Sequence, residues 1–97
     1  MNYKILSPAQ RDLTQALDYY DTAQTGLGLN FLDEAERTIA RILTQPEAWA
    51  RISEKHRRCM MRRFPYGVIY SIEENCLLIS AVMHLHRHPA SWRNSVS

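Results

Sequence analysis

The stretch from Cys76 to Leu85 is apolar at nearly every position, and this feature constrains the fold of the chain more than any other. It is too short to cross a membrane, which requires about 20 apolar residues. Its length, and the polar, turn-like residues 73–75 before it, favour a central strand that is buried on both faces. Such a strand needs neighbouring strands and a covering layer, so the remaining sequence is expected to supply both.

Other stretches have the composition of strands. Residues 68–72 are β-branched and aromatic, residues 3–6 are similar in character, and residues 57–64 alternate weakly between polar and apolar side chains. The residues from Phe64 to Gly67 are predicted to form a turn. Residues 47–56 have no clear period and are predicted to be irregular.

Two apolar stripes with helical spacing follow the first strand. The first stripe consists of Ala9, Leu13, Ala16, Leu17 and Tyr20. Ser7 and Gln10 have the spacing of a capping box, so Ser7 is predicted to cap this helix and Pro8 to be its first residue. Asp12 is among the polar residues that are placed on the opposite, solvent-facing side.

The second stripe consists of Leu32, Ala35, Ile39, Ile42 and Leu43. Glu34 and Arg41 are among the charged residues that are placed off this stripe. The segment containing Gly26 and Gly28 is predicted to connect the two helices, and Pro46 requires the second helix to end before it.

Together these patterns predict an α+β fold in the order β-α-α-β-β-β. The helical hairpin is expected to pack on one face of a mainly antiparallel sheet. Residues 1–97 are expected to form a single domain, since a chain of this length has room for one hydrophobic core.

The composition is that of a soluble globular protein, with 45% hydrophobic and 23% charged residues. The first residues lack the features of a signal peptide, so we expect a cytoplasmic protein. Cys59 and Cys76 are too few for a disulfide framework and are predicted to be reduced and buried. No cofactor is indicated, because the sequence contains no glycine-rich phosphate loop and no ordered catalytic triad.

The charge is unevenly distributed along the chain. Residues 1–50 carry four Lys or Arg and seven Asp or Glu, a balance of −3, whereas residues 51–97 carry eight and three, a balance of +5. The basic cluster consists of Arg51, Lys55, Arg57, Arg58, Arg62 and Arg63, with His56 among them. These side chains are suited to binding phosphates or carboxylates. The alternative interpretation is that they lie on an edge strand, where their charge deters aggregation.

The histidines His84, His86 and His88 occupy every second position, so on a strand they would share one face. A zinc site is one interpretation, but Pro89 follows at once and no carboxylate is nearby to orient the imidazoles, so we predict no metal. The same histidines could act as general acid and base on RNA, beside the arginines and Tyr66.

Four segments in a fixed order resemble the RelE/ParE superfamily over almost the whole chain. Residues 8–20 resemble the first helix of that superfamily, and residues 31–46 resemble its second helix and the exit from it. The most specific segments are residues 62–70, which include Phe64-Pro65-Tyr66, and residues 81–92. The latter contain His84-x-His86-Arg87-x-Pro89-x-x-Trp92, which is similar to the C-terminal signature of ParE-like plasmid-stabilisation proteins.

The resemblance implies the toxin of a bacterial type II toxin–antitoxin system, which a cognate antitoxin neutralises in a hetero-oligomeric complex. ParE-like members bind DNA gyrase and perform no chemistry, whereas RelE-like members cut messenger RNA on the ribosome. The Phe-Pro-Tyr and His-Arg-x-Pro-x-x-Trp segments are closer to ParE, so we expect growth arrest by gyrase inhibition and no enzymatic activity. The alternative is a ribosome-dependent mRNA endonuclease.

The two alternatives use overlapping sets of residues. The residues expected to bind the target or the antitoxin are Arg57, Arg58, Arg62, Arg63, Arg87 and Trp92. If the chain is a nuclease, its catalytic candidates are Arg62, Arg63, Tyr66, His84, His86 and Arg87.

Overall fold

The computed structural model describes residues 1–86, in which two helices and five strands follow one another along the chain. Three residues with predicted roles, Arg87, His88 and Trp92, lie outside the described residues. The elements are β1 (Asn2–Ile5), α1 (Ser7–Ala23), α2 (Leu27–Thr44), β2 (Ala50–Arg51), β3 (Arg57–Met60), β4 (Tyr66–Glu73) and β5 (Cys76–His84).

The five strands form one sheet in the order β1-β5-β4-β3-β2. β1 pairs with β5 in parallel, and the other three pairs are antiparallel, so the prediction of a mainly antiparallel sheet is confirmed. The apolar run at the carboxyl end is β5, which has a strand on each side as expected. The two-residue strand β2 lies in the stretch that was predicted to be irregular, and it adds one strand to the predicted order.

Both helices pack on the same face of the sheet, α1 over β5 and α2 over β3 and β4. The largest fully buried side chains between the layers include Phe31, Ile42, Val68, Tyr70 and Ile79. No helix within residues 1–86 is long and apolar enough to span a bilayer. The helical hairpin on one sheet face is therefore confirmed, and its apolar stripes form the helical side of the core.

Local signals located some boundaries and missed others. Glu74 and Asn75 have φ angles of 50° and 61°, as a two-residue hairpin turn between β4 and β5 requires, and this turn was predicted. The predicted turn from Phe64 to Gly67 is wrong in position, because Tyr66 already begins β4. The predicted Ser7 cap is also wrong: α1 begins at Ser7, its N-cap is Leu6, and no side chain caps it.

The connection between the helices is shorter than predicted, since α2 already begins at Leu27. Gly26 is the N-cap of α2 with a φ angle of 91°, a conformation that favours glycine. Gly28 lies inside α2, where a Cβ atom would come within 2.8 Å of the Leu17 carbonyl oxygen. The Asp21 carboxylate at the end of α1 accepts hydrogen bonds from the backbone N–H groups of both glycines, at 2.9 and 3.3 Å.

Two charged residues that were placed off the apolar stripes are partly or fully buried. Asp12 is half-buried on α1 and accepts a hydrogen bond from the backbone of Val82, and Glu34 on α2 is only 3% exposed. The cysteine prediction holds fully for Cys59, which is buried, and partly for Cys76, which is half-buried; both are free thiols. Burial raises the pKa of the Cys59 thiol, against the opposing effect of Arg41 and Arg62.

Candidate interaction site

The basic cluster divides into arginines that bind the chain itself and arginines that face solvent. Arg57 is half-buried, and its Nη1 donates to the carbonyl oxygens of Glu47 and Trp49 at 3.0 and 2.8 Å. Its guanidinium therefore fastens the segment between α2 and β2 to the sheet. Arg58, the next residue, is exposed and pairs with Ile69 in the β3–β4 register.

Residues 61–65 connect β3 to β4 and carry two adjacent exposed cations, Arg62 and Arg63. The flanking side chains Met61 and Phe64 are buried in the core. The Met61 N–H donates to the Tyr66 carbonyl at 2.9 Å, which closes the connection. We name residues 61–65 the basic turn, because it presents two guanidinium groups on a backbone that is held on both sides.

The backbone at the basic turn is also held by α2. The Arg62 N–H donates to Oε2 of Glu34 at 2.7 Å, across 28 residues of sequence. Glu34 was placed off the apolar stripe by sequence reasoning, so this contact was missed. The spacing of Glu34, Thr38 and Arg41, which puts them on one face of a helix, was the signal that could have shown it.

Tyr66, one of the nuclease candidates, is only 5% exposed at the start of β4. Its ring centroid lies 4.9 Å from that of Phe31 and 5.1 Å from that of His84. Phe64 and Tyr20 complete this aromatic group, with their ring centroids 4.9 Å apart. The phenol ring thus belongs to the packing between the helical hairpin and the sheet.

His84 ends β5, and His86 follows in the next turn. Their ring centroids lie 5.8 Å apart, and Nδ1 of His84 accepts the backbone N–H of His86 at 3.1 Å. His84 is half-buried and His86 is exposed. The Leu85 N–H donates to the Pro65 carbonyl at 2.8 Å, so the structure brings the two histidines to the same end of the sheet as the basic turn.

A cavity of about 300 Å³ lies at the corner of the sheet near β2. Its lining combines the cations Arg51, Lys55 and Arg57 with the carboxylates Glu47, Glu54 and Glu73. His56 also lines it, and burial lowers the pKa of this imidazole while Glu73 opposes the shift. Because carboxylates line this cavity together with the cations, it is not assigned as an anion site. Within residues 1–86, no three His, Cys, Asp or Glu side chains are grouped to hold a metal ion.

The sequence of residues 3–89 matches the family model described as the ParE toxin of the type II toxin–antitoxin system parDE. This match spans nearly the whole chain and includes both helices, the basic turn and the two histidines. The chain belongs to the ParE toxin family.

A solved structure described as the chromosomal ParDE toxin–antitoxin system from P. aeruginosa is similar to this ParE family member. The superposition has a TM-score of 0.78 and covers 89% of this chain and 97% of the other, with 17% sequence identity. At this identity the likeness shows the fold, two helices on a five-stranded mixed sheet. No curated protein sequence matches the chain significantly.

The ParE fold thus gathers most of the predicted site residues at one end of the sheet. Arg62, Arg63, Tyr66, His84 and His86 are brought together there by the basic turn and the end of β5. Arg57 and Arg58 extend from β3 in different environments, one half-buried and one exposed. Arg87 and Trp92 fall outside the described residues.

Proposed function

We propose that this chain is the toxin of a ParDE-type module, arrests growth in the cytoplasm by inhibiting DNA gyrase, and is neutralised by a cognate antitoxin. The observation that carries the proposal is membership of the ParE toxin family over residues 3–89. The similar structure from P. aeruginosa is described as a ParDE toxin–antitoxin system, which supports an antitoxin partner.

The surface of the chain supports binding to an acidic partner. Arg58, Arg62 and Arg63 are exposed, and the second half of the sequence carries a balance of +5. Clustered guanidinium groups on a fixed backbone attract carboxylates, increase the association rate and select for charge complementarity. In this proposal the toxin acts by binding gyrase, and no covalent bond is made or broken by its own residues.

The antitoxin is proposed to place an acidic segment over the helical hairpin and part of the basic sheet. Tyr19 on α1 and Leu29 on α2 are 60% and 65% exposed, so the hairpin offers apolar side chains to an amphipathic segment. Helical turns that fill an apolar groove and strands that extend a sheet edge are common ways to recognise such a segment.

The alternative function is a RelE-like endoribonuclease that cuts messenger RNA on the ribosome. The observation in its favour is the position of His84 and His86 beside the basic turn. Against it, Tyr66 is only 5% exposed and its ring is packed against those of Phe31 and His84. The geometry therefore supports binding better than RNA cleavage.

Supercoiling of relaxed plasmid by purified gyrase tests the proposal directly. Supercoiling is expected to fall as the toxin is added and to return when the antitoxin of the same module is added in equal amount. Full supercoiling with excess folded toxin would contradict gyrase inhibition.

Primer extension on translated messages, after induction of the toxin in cells, distinguishes the two functions. Intact messages in growth-arrested cells are expected for a gyrase inhibitor. New cleavage sites that require translation would support the endoribonuclease instead.

A further inference from the structure

Glu34 is an ionisable residue in an environment where charged side chains are rarely found. It is 3% exposed, and burial of an unpaired carboxylate is costly. Its Oε2 accepts the N–H of Arg62 at 2.7 Å and lies 4.0 Å from Nη2 of Arg41. These two contacts compensate the buried charge, and they link α2 to the first exposed residue of the basic turn.

Arg41 extends this link to the end of β3. Its Nη2 donates to Oγ1 of Thr38 at 3.1 Å and to the Met60 carbonyl at 3.3 Å, and its Nη1 lies 3.8 Å from Sγ of Cys59. Its guanidinium also lies over the Trp49 ring, 5.7 Å from the centroid. The face of α2 that carries Glu34 and Arg41 therefore contacts both β3 and the backbone that follows it.

Glu34 binds the backbone of Arg62, so its role differs from that of the arginine side chains. Glu34 accepts the N–H of Arg62 and leaves the exposed guanidinium groups of Arg62 and Arg63 to face solvent. A carboxylate that fixes the backbone lowers the number of directions in which these two side chains can point. Fixing a surface in advance reduces the entropy that is lost when a partner binds.

We propose that Glu34 is a positioning residue, which holds the basic turn so that Arg62 and Arg63 bind the acidic segment of the antitoxin. This inference rests on the proposed function for the identity of the partner. The positioning itself depends only on the contact between Glu34 and Arg62.

A matched control is available on the other helix. Asp12 on α1 also accepts a backbone N–H, that of Val82 on β5 at 2.9 Å, and this hydrogen bond does not involve the basic turn. Asp12→Ala and Glu34→Ala each remove one carboxylate acceptor, so both variants are expected to lose stability. Only Glu34→Ala is expected to release the basic turn.

Amide hydrogen exchange measures the positioning without a partner. Glu34→Ala should accelerate exchange of the Arg62 amide about tenfold more than it accelerates other amides that exchange at a similar rate in the wild type. Glu34→Gln keeps an oxygen acceptor and should restore most of the protection, whereas Asp12→Ala should accelerate the Val82 amide and leave Arg62 unchanged. An Arg62 amide that exchanges as slowly in both Glu34 variants as in the wild type would overturn the proposal.

Binding to the antitoxin encoded in the same module measures the consequence. Glu34→Ala should weaken binding about tenfold, or about 1.4 kcal/mol, Glu34→Gln should recover most of it, and Asp12→Ala should change it less than about twofold. Equal losses for Glu34→Ala and Asp12→Ala would reduce Glu34 to a structural role and overturn the proposal. If Glu34→Ala does not fold, Glu34→Gln must still show partial losses of protection and of affinity.

Failure of the proposed function gives a different result. A folded wild-type chain that does not bind this antitoxin would contradict the proposed partner, whatever the exchange data show. If the wild type binds and the double variant Arg62→Ala/Arg63→Ala binds equally well, the partner stands and the role assigned to the basic turn is overturned.

Discussion

The Asp12 carboxylate on α1 accepts the backbone N–H of Val82 on β5 at 2.9 Å, across 70 residues of sequence. β1 ends opposite Ile79, so the part of β5 that contains Val82 has no neighbouring strand on the β1 side. A register shift between β4 and β5 lies close by, at Ile69 and Tyr70. The helix thus supplies an acceptor to β5 where the sheet offers none, and α1 is fixed in position over this strand.

Removal of this acceptor should destabilise the fold. Asp12→Ala leaves the N–H of the buried Val82 without its partner, which costs about 1–3 kcal/mol of unfolding free energy. Asp12→Asn keeps an oxygen in reach of the same N–H and should lose less. Urea denaturation at neutral pH measures both variants, and an Asp12→Ala variant as stable as the wild type would contradict this role.

Burial raises the pKa of Asp12 above its usual value of 3.8, although the Val82 N–H and Arg11 oppose the shift. The folded chain therefore keeps this proton to a higher pH than the unfolded chain does. The stability that the protonated group contributes is complete below its unfolded pKa and is lost as pH rises through the raised folded pKa. Asp12→Asn lacks this ionisation, so the wild type should lose unfolding free energy relative to the variant as pH rises from about 4. If the unfolding free energies of the two proteins change in parallel with pH, the raised pKa of Asp12 would be contradicted.

Gly28 on α2 lies directly against Leu17 and Asp21 of α1. Alanine favours a helix by about 1 kcal/mol over glycine, but a Cβ at this position would come within 2.8 Å of the Leu17 carbonyl oxygen. Gly28→Ala should therefore lower stability by about 1–3 kcal/mol, because the helices must separate. Leu29→Ala is the matched control, since this neighbouring side chain is exposed. Thermal unfolding compares the two, and an increase in Tm for Gly28→Ala would show that the hairpin adjusts without cost.

Arg57 and Arg63 should differ in their effect on stability. Arg57→Ala removes the donor to two backbone carbonyls, at Glu47 and Trp49, and should cost about 1–3 kcal/mol. Arg63→Ala changes an exposed side chain and should stay within about 0.5 kcal/mol of the wild type. Chemical denaturation of both variants checks the difference, and equal effects would remove the structural role assigned to Arg57.

Reversal of the exposed charges should weaken the toxin–antitoxin complex. Arg58→Glu/Arg62→Glu replaces attraction to an acidic segment with repulsion, so affinity should fall and added salt should weaken the remaining binding less than it does in the wild type. Titration calorimetry at low and high salt measures both quantities. Unchanged affinity at low salt would exclude electrostatic recognition at these two arginines.

The helices, the strands and their order could be predicted from the sequence because their signals are local. The stripe from Ala9 to Tyr20 repeats within a few residues, and the run from Cys76 to Leu85 is apolar in its own right. The family could also be recognised, because segments such as residues 62–70 keep their spacing. These features depend on neighbours that lie close together along the chain.

The surroundings of individual charged residues were decided by the tertiary structure. Asp12 and Glu34 both lie off the apolar stripes in the sequence, yet each accepts a backbone N–H, Asp12 from Val82 on β5 and Glu34 from Arg62 in the basic turn. These contacts join residues 70 and 28 positions apart, and no local period encodes them. Only the packing of the helices on the sheet determines which carboxylates lose their water, since burial and hydrogen-bond partners are properties of the assembled layers.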